Sequence, residues 1–184
     1  TPRITFGGLL DVPDENGETM EQGPTIALAV DFFSSGSRQV DIWELKRRLT
    51  AGRIPENPQE VLLSTKLAER LGLEPGEVVT FIGSTMHNAF TTYNFMVSGT
   101  FNLNMGAIDK QMMLLDISGA RIALDMDYAA SEILGYSHDL YYNDDDAVSL
   151  RLAFNASHSD SSDIFSPFML ALRDGSQLGT MVDF

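Results

Sequence analysis

The side chains of this 184-residue chain that could do chemistry are few and scattered. Its three histidines, His87, His138 and His158, stand far apart, and no HExxH pair sets two imidazoles on one helix face as zinc hydrolysis needs. Their spacing fits surface or loop positions. The chain has no cysteine, which excludes disulfides, thiolate metal sites and a cysteine nucleophile. Asp139 with Asp144, Asp145 and Asp146 is the densest acidic cluster, but the calcium-loop order of a central glycine and a terminal glutamate is absent. The aspartate triplet fits better as the first turn of a helix, where carboxylates meet the positive end of the dipole. Gly83-Ser84-Thr85 lacks the context of a nucleophile elbow, and neither a P-loop nor GxGxxG occurs. No carboxylate pair stands out as general acid and base. The residues therefore assign no catalytic, cofactor-binding or metal-binding position, and the expectation is a non-catalytic domain without cofactors.

Composition narrows the partners. The net charge is −14 and the isoelectric point about 4.3, so the surface repels phosphate backbones, which argues against nucleic acid. Lysines and arginines nowhere form the longer clusters that would make a local exception. At 43% hydrophobic residues it can bury a core, yet no apolar run reaches the roughly 20 residues that cross a bilayer. The absence of cysteine leans towards an oxidising compartment. The sequence opens on TPRITFGG without a leader and stops inside a helix-like pattern, and the expectation is a domain cut from a larger protein.

Turn chemistry and periodicity predict an α+β chain. Arg3 to Asp31 reads as a β-hairpin around Asn16-Gly17, since both residues tolerate positive φ. Val40 to Leu49 has helical spacing, with Lys46, Arg47 and Arg48 near its C-terminus and Gly52 as a stop. Glu60 to Leu63 is a strand and Ser64 caps a helix that Gly72 ends. Pro75-Gly76 fits a type II turn before the strand Val78 to Ile82. Phe90 to Leu103 and Gln111 to Asp116 are further strands. Ser118 opens a short helix to Leu124, Ala129 to Leu134 is helical, and His138 to Tyr142 is a strand. Asp144 to Asp146 start a helix to about Ala156, a polar break covers Ser157 to Ser162, and Ile164 to Phe184 forms an uneven helix. No internal repeat is evident. Most of the nine methionines fit the core, while Met86 and Met105 fall in loops as adaptable contact points. Asn155-Ala156-Ser157 is a formal sequon of a kind common by chance.

The segment EVLLSTKLAERLGLEPGEVVTFIG, Glu60 to Gly83, resembles a stretch of the extracytoplasmic domains of MacB-like, LolC/LolE-like and FtsX-like ABC transporter permeases. Upstream, PRITFGGLL and TIALAVDF resemble two strands of those domains, with Asp31 at the family's aspartate, and LTAGRIPENPQEVLL resembles the passage that follows. Downstream, FMVSGTFNLNMGAIDKQMMLLDISGARIAL continues the order. The resemblance implies a β-rich Sabre-like lobe over 1–134, inserted into an incomplete porter-like α/β lobe whose second half is 135–157, and a segment over 158–184 leading to the next membrane helix. It further implies a domain at the periplasmic face of the inner membrane that couples ATP-driven motion to export or lipoprotein release. The implied partners are an ATPase subunit, a second permease copy and a periplasmic adaptor or chaperone. Members that recruit a chaperone carry a long hook-like hairpin; the matching connection, Ser84 to Thr92, is much shorter. The candidate contact residues there are Met86, His87 and Phe90. Two other readings compete: a double-psi-type β-barrel from a cofactor enzyme, which should show a pseudo-repeat, and a free-standing periplasmic binding module.

Overall fold

A computed structural model describes residues 1–14, 16–103, 106–135, 143–163, 166, 168 and 169. The chain divides into two units, Thr1–Leu134 and Gly135–Phe184.

The first unit begins with the hairpin of β1 (Pro2–Pro13) and β2 (Thr19–Val30), paired antiparallel from Arg3 opposite Val30 to Val12 opposite Glu21. Its turn depends on Asp14 as well as on Gly17 at φ 84°. The Asp14 carboxylate accepts the Glu18 and Asn16 N–H groups, both at 2.8 Å. These bonds, the Glu18 one foremost, lower its pKa.

Six strands close into a ring. β2 runs parallel to β7 (Met112–Asp116), and β7 antiparallel to β4 (Glu60–Ser64). β4 runs parallel to β6 (Phe90–Phe101), β6 antiparallel to β5 (Val78–Ser84), and β5 antiparallel to β1. Two short strands hang on this barrel-like sheet: β3 (Leu49–Gly52) on β6 and β8 (Glu132–Ile133) on β1. Helix α3 (Thr65–Leu71) follows β4, and α4 (Ile117–Leu124) follows β7. The unit is thus mixed α+β and rich in strand.

The ring has an approximate two-fold topology that no sequence repeat announces. β4–α3 leads into the β5–β6 hairpin, and β4 is parallel to β6. β7–α4 corresponds to β4–α3, with β1–β2 in the place of β5–β6 and β7 parallel to β2. The halves meet antiparallel at β4–β7 and at β1–β5.

One cluster fills the ring. Ala27, Ala29, Val61, Leu63, Val79, Phe81, Phe95, Val97, Met113 and Leu115 alternate along five of its strands and are all fully buried. Leu67, Ala68 and Leu71 of α3 join them, as do Ala120, Ala123 and Leu124 of α4. Phe6 meets Phe81 edge-on at 5.3 Å. β4 and β7 are buried at every residue, and Val61–Leu63 and Met112–Leu115 read as apolar runs rather than alternating ones.

The β4–α3–β5 segment follows its local signals. Ser64 Oγ accepts the Leu67 N–H, Gly72 closes the helix at φ 65°, and Gly76 sits at φ 104° in the Glu74–Glu77 turn. Elsewhere tertiary contacts prevail. The helix expected over Val40 to Leu49 is two separate turns, α1 (Gln39–Ile42) and α2 (Leu45–Arg48), broken where Glu44 adopts φ 50°. The break lets Trp43 and Leu45 both be buried and releases Leu49 into β3 opposite Phe101. Gly52 is therefore not a helix stop. It faces Gly99 of β6, and a Cβ on it would lie 2.3 Å from the Ser98 carbonyl oxygen. Nor is Ala129 to Leu134 helical: Ser131 and Leu134 donate to the Arg3 and Thr1 carbonyls, and Glu132 pairs with buried Arg3 at 2.6 Å. α4 is capped by Asp116, which accepts the Ser118 N–H, and not by Ser118.

In the second unit, α5 (Asp144–His158) is capped by Asn143, whose Oδ1 accepts the Asp145 and Asp146 N–H groups. The three aspartates occupy its first turn, as dipole electrostatics favour. The helix runs through Ser157 and His158, past the expected break. The strand expected over His138 to Tyr142 lies outside the described residues, as does Ile164 to Phe184 apart from Ser166, Phe168 and Met169.

Where β6 exchanges its neighbour β5 for β3, its register with β4 slips by one residue, between Val61 and Leu62. Ser98 occupies the slip; its Oγ donates to the Val61 carbonyl and its own carbonyl accepts the Arg53 N–H. Arg53 then grips Glu60 with both Nη atoms, at 2.7 and 2.6 Å, and Glu56 N–H donates to the same carboxylate. Glu60 is buried, and the guanidinium holds its pKa at about 2 instead of 4.5.

Because the folded value lies below the unfolded one, the Glu60 contribution is complete above pH 4.5 and declines as pH falls towards 2. Glu60→Gln should cost about 2–3 kcal/mol at neutral pH, near the low end for a broken pair because solvent reaches Arg53, and should flatten the acid limb of stability. Urea unfolding across that range checks both. Gly119→Ala should destabilise despite gaining about 1 kcal/mol of helix propensity, because its Cβ would lie 2.1 Å from the Pro58 carbonyl oxygen. A raised thermal midpoint in that variant would contradict the packing of α4 on Pro58.

Candidate functional site

The β5–β6 connection is a five-residue loop, since Ser84 and Phe90 already pair across the hairpin. Thr85 organises it. Its N–H donates to the Ala89 carbonyl at 2.8 Å, and its Oγ1 accepts the N–H groups of His87 and Ala89 at 3.3 and 3.2 Å. Asn88, at φ 60°, donates its N–H back to the Thr85 carbonyl. The last turn of α4 anchors the whole loop: Met86 N–H donates to the Leu124 carbonyl at 2.9 Å and Thr91 Oγ1 to the Ala123 carbonyl at 3.0 Å.

This local order presents the three candidate contact residues outward. Met86 is 49% and Phe90 76% exposed, and His87 is exposed between them. The structure adds Ile122, 58% exposed on the turn of α4 that holds the loop, and Tyr128, almost wholly exposed at φ 58° beyond the helix. Ile122 falls out of phase with the buried set Ile117, Ala120, Ala123 and Leu124, so an amphipathic projection of α4 already sets it apart. Nothing local in the sequence sets Tyr128 apart. Met105, the other loop methionine, lies outside the described residues.

Several titratable groups elsewhere have structural partners. Arg3–Glu132 ties β1 to β8, Arg53–Glu60 ties the β3–β4 connection to β4, and Lys66 lies 3.7 Å from buried Asp109. His158 stacks on Phe154 and shares Nδ1 with Ser157 Oγ at 2.7 Å. His138 and Asp139 lie outside the described residues. Asn155 of the sequon is engaged, donating Nδ2–H to the Met169 carbonyl and accepting the Met169 N–H. Among the described residues no three His, Asp or Glu side chains converge as metal ligands, and no helix is long and apolar enough to cross a membrane. The chemistry this arrangement offers at the β5–β6 loop is contact: a thioether, an imidazole and aromatic rings on a hydrogen-bonded frame.

No protein-family model matches this chain, and no curated protein matches it.

Replacing Met86, His87 and Phe90 together by serine should leave stability within about 0.5 kcal/mol, as for exposed positions generally. Thr85→Val should cost about 1 kcal/mol, because two backbone N–H groups lose their acceptor. Chemical denaturation of both variants separates the frame from the surface it displays.

Proposed function

We propose that this chain is the extracytoplasmic domain of an ABC transporter permease, acting through protein contacts rather than bond chemistry. Unit Thr1–Leu134 is its Sabre-like lobe and the following residues belong to a porter-like lobe. One observation carries the reading beyond the resemblance of ordered segments. The two ends of the first unit lie side by side, with Leu134 N–H donating to the Thr1 carbonyl at 2.8 Å and β8 pairing with the first residues of β1. A lobe whose ends are adjacent can be inserted into a host lobe without distorting either. The exposed Met86, His87 and Phe90 form its partner contact, and the short loop favours a flat contact over a chaperone-gripping hook.

In this reading the domain faces the periplasm, and an ATPase subunit and a second permease copy work with it through membrane helices. The gene should then encode an apolar segment of roughly 20 residues shortly before Thr1 and three more after Phe184. The full-length product should fractionate with the inner membrane and co-purify with an ATPase subunit. Serine at positions 86, 87 and 90 should reduce transport at least about tenfold without reducing membrane abundance, if the contact contributes the 1.4 kcal/mol or more of an interface anchor. Polar sequence on both sides of the domain, with a product that stays out of the membrane, would overturn the reading.

The two-fold topology of the six-stranded ring favours a second reading, a double-psi-type barrel from a cofactor enzyme, because such barrels are built from two like halves. That reading requires the full-length protein to purify with stoichiometric bound metal or organic cofactor, which elemental analysis and absorbance spectra would detect.

A further inference from the structure

The chain holds 12 lysines and arginines against 26 acidic residues, yet three cations stand consecutively, Lys46, Arg47 and Arg48. The sequence places them on one helix end; the structure puts them in α2, beyond the break at Glu44. Glu44 is a non-glycine residue held at φ 50°, an uncommon conformation that buried Trp43 and Leu45 enforce from either side. The turn brings α2 against β3 and the end of β6, where Asn102 N–H donates to the Arg48 carbonyl at 2.9 Å. Between them lies an open concavity of about 370 Å³, lined by Glu44, Arg47, Arg48, Leu49, Thr50 and Asn102.

We propose that this concavity is a binding site for a phosphomonoester dianion. Arg47 uses Nη1 on Glu44 at 3.1 Å, and Arg48 uses Nε on the Trp43 carbonyl at 3.0 Å. A guanidinium carries five N–H donors in a planar fork, so both retain donors suited to phosphate oxygens. Lys46 is exposed on the same short turn and adds a third positive charge. The Glu44 carboxylate already neutralises part of Arg47. A monoanion would only take the place of the Glu44 carboxylate, whereas a dianion brings a second charge that Arg48 can take up. The acidic remainder of the surface opposes this weakly, because at physiological ionic strength exposed charges are screened beyond about 8 Å. The site is independent of the transport reading. The phosphomonoester can be free or can be the headgroup of a lipid such as phosphatidic acid.

The test is an amide-resonance titration of the whole chain with inorganic phosphate at pH 8, against sodium chloride at matched ionic strength. It is paired with co-sedimentation on phosphatidylcholine vesicles with and without phosphatidic acid. Saturable shifts at Arg47, Arg48, Thr50 and Asn102 that chloride does not reproduce are the expected result. Binding should weaken as pH falls from about 8 towards 6, as the inorganic phosphate dianion takes up a proton and becomes the monoanion. Arg47→Gln, at a side chain 80% exposed, should weaken it at least about fivefold with an otherwise unchanged spectrum. Glu44→Asn keeps a residue tolerant of the left-handed conformation and removes the competing carboxylate, so it should tighten binding about threefold or more. Phosphate binding without vesicle binding identifies a free ligand, and binding only to phosphatidic acid vesicles identifies the lipid headgroup. Shifts equal in chloride, shifts unaffected by Arg47→Gln, weaker binding in Glu44→Asn, or binding to neither probe would each overturn the proposal.

Discussion

Closure of the ring at β1 is the constraint on which the rest of the first unit depends. A sheet of six strands has two free edges unless its ends meet, and a free edge exposes unpaired backbone groups to any passing strand. Here β1 pairs with β2 along nearly its whole length and with β5 over Leu9 to Asp11 on its other edge. The second pairing is short and close. Gly8 lies so near β5 that a Cβ would sit 2.4 Å from the Phe81 ring and 2.6 Å from the Ile82 carbonyl oxygen. Glycine at this position lets two strands meet over one of the largest side chains in the core, and the same ring then packs edge-on against Phe6. Once closed, the barrel encloses an apolar cluster that residues of α3 and α4 join.

Closure explains why polar chemistry sits at seams. Arg53 and Glu60 lie where β6 changes partners, and Arg3 and Glu132 where β8 joins β1. At each place a regular ladder ends and backbone groups need other partners, which side chains and strap residues provide. The buried carboxylate of Glu60 is tolerable because three donors reach it; alone it would be costly. The β5–β6 loop follows the same rule. Thr85 and the terminal carbonyls of α4 satisfy its backbone internally, which frees Met86, His87 and Phe90 to face outward.

A two-fold ring built from permuted halves also bears on function. The proposed permease domain and the double-psi alternative would share closed strands, short crossover helices and loops gathered at the ends. They differ in what those loops hold. Contact surfaces need exposed apolar groups on rigid frames, and the α4 end of this unit offers Met86, Phe90, Ile122 and Tyr128. The arginine concavity at Glu44 lies on a separate segment and invites a small anion instead.

Much of the fold was legible in the residues. The first hairpin, the β4–α3–β5 passage with its Ser64 cap, Gly72 stop and Pro75-Gly76 turn, and the strands β6 and β7 all follow from local turn chemistry and periodicity. The loop position of Met86, His87 and Phe90 was legible for the same reason: it falls between two strongly patterned strands. Elements that depend on distant partners were not. Glu44 breaks a helix because Trp43 and Leu45 must both be buried and Leu49 must reach Phe101, and Ala129 to Leu134 forgoes helix to pair with β1. The two-fold arrangement is equally invisible along the chain, since its halves are permuted. Turns, caps and alternation follow from neighbours within a few residues along the chain and could be read there. Which strands meet, where helices break and which cations share a concavity follow from burial and backbone pairing between residues far apart in sequence, and only the folded chain reveals them.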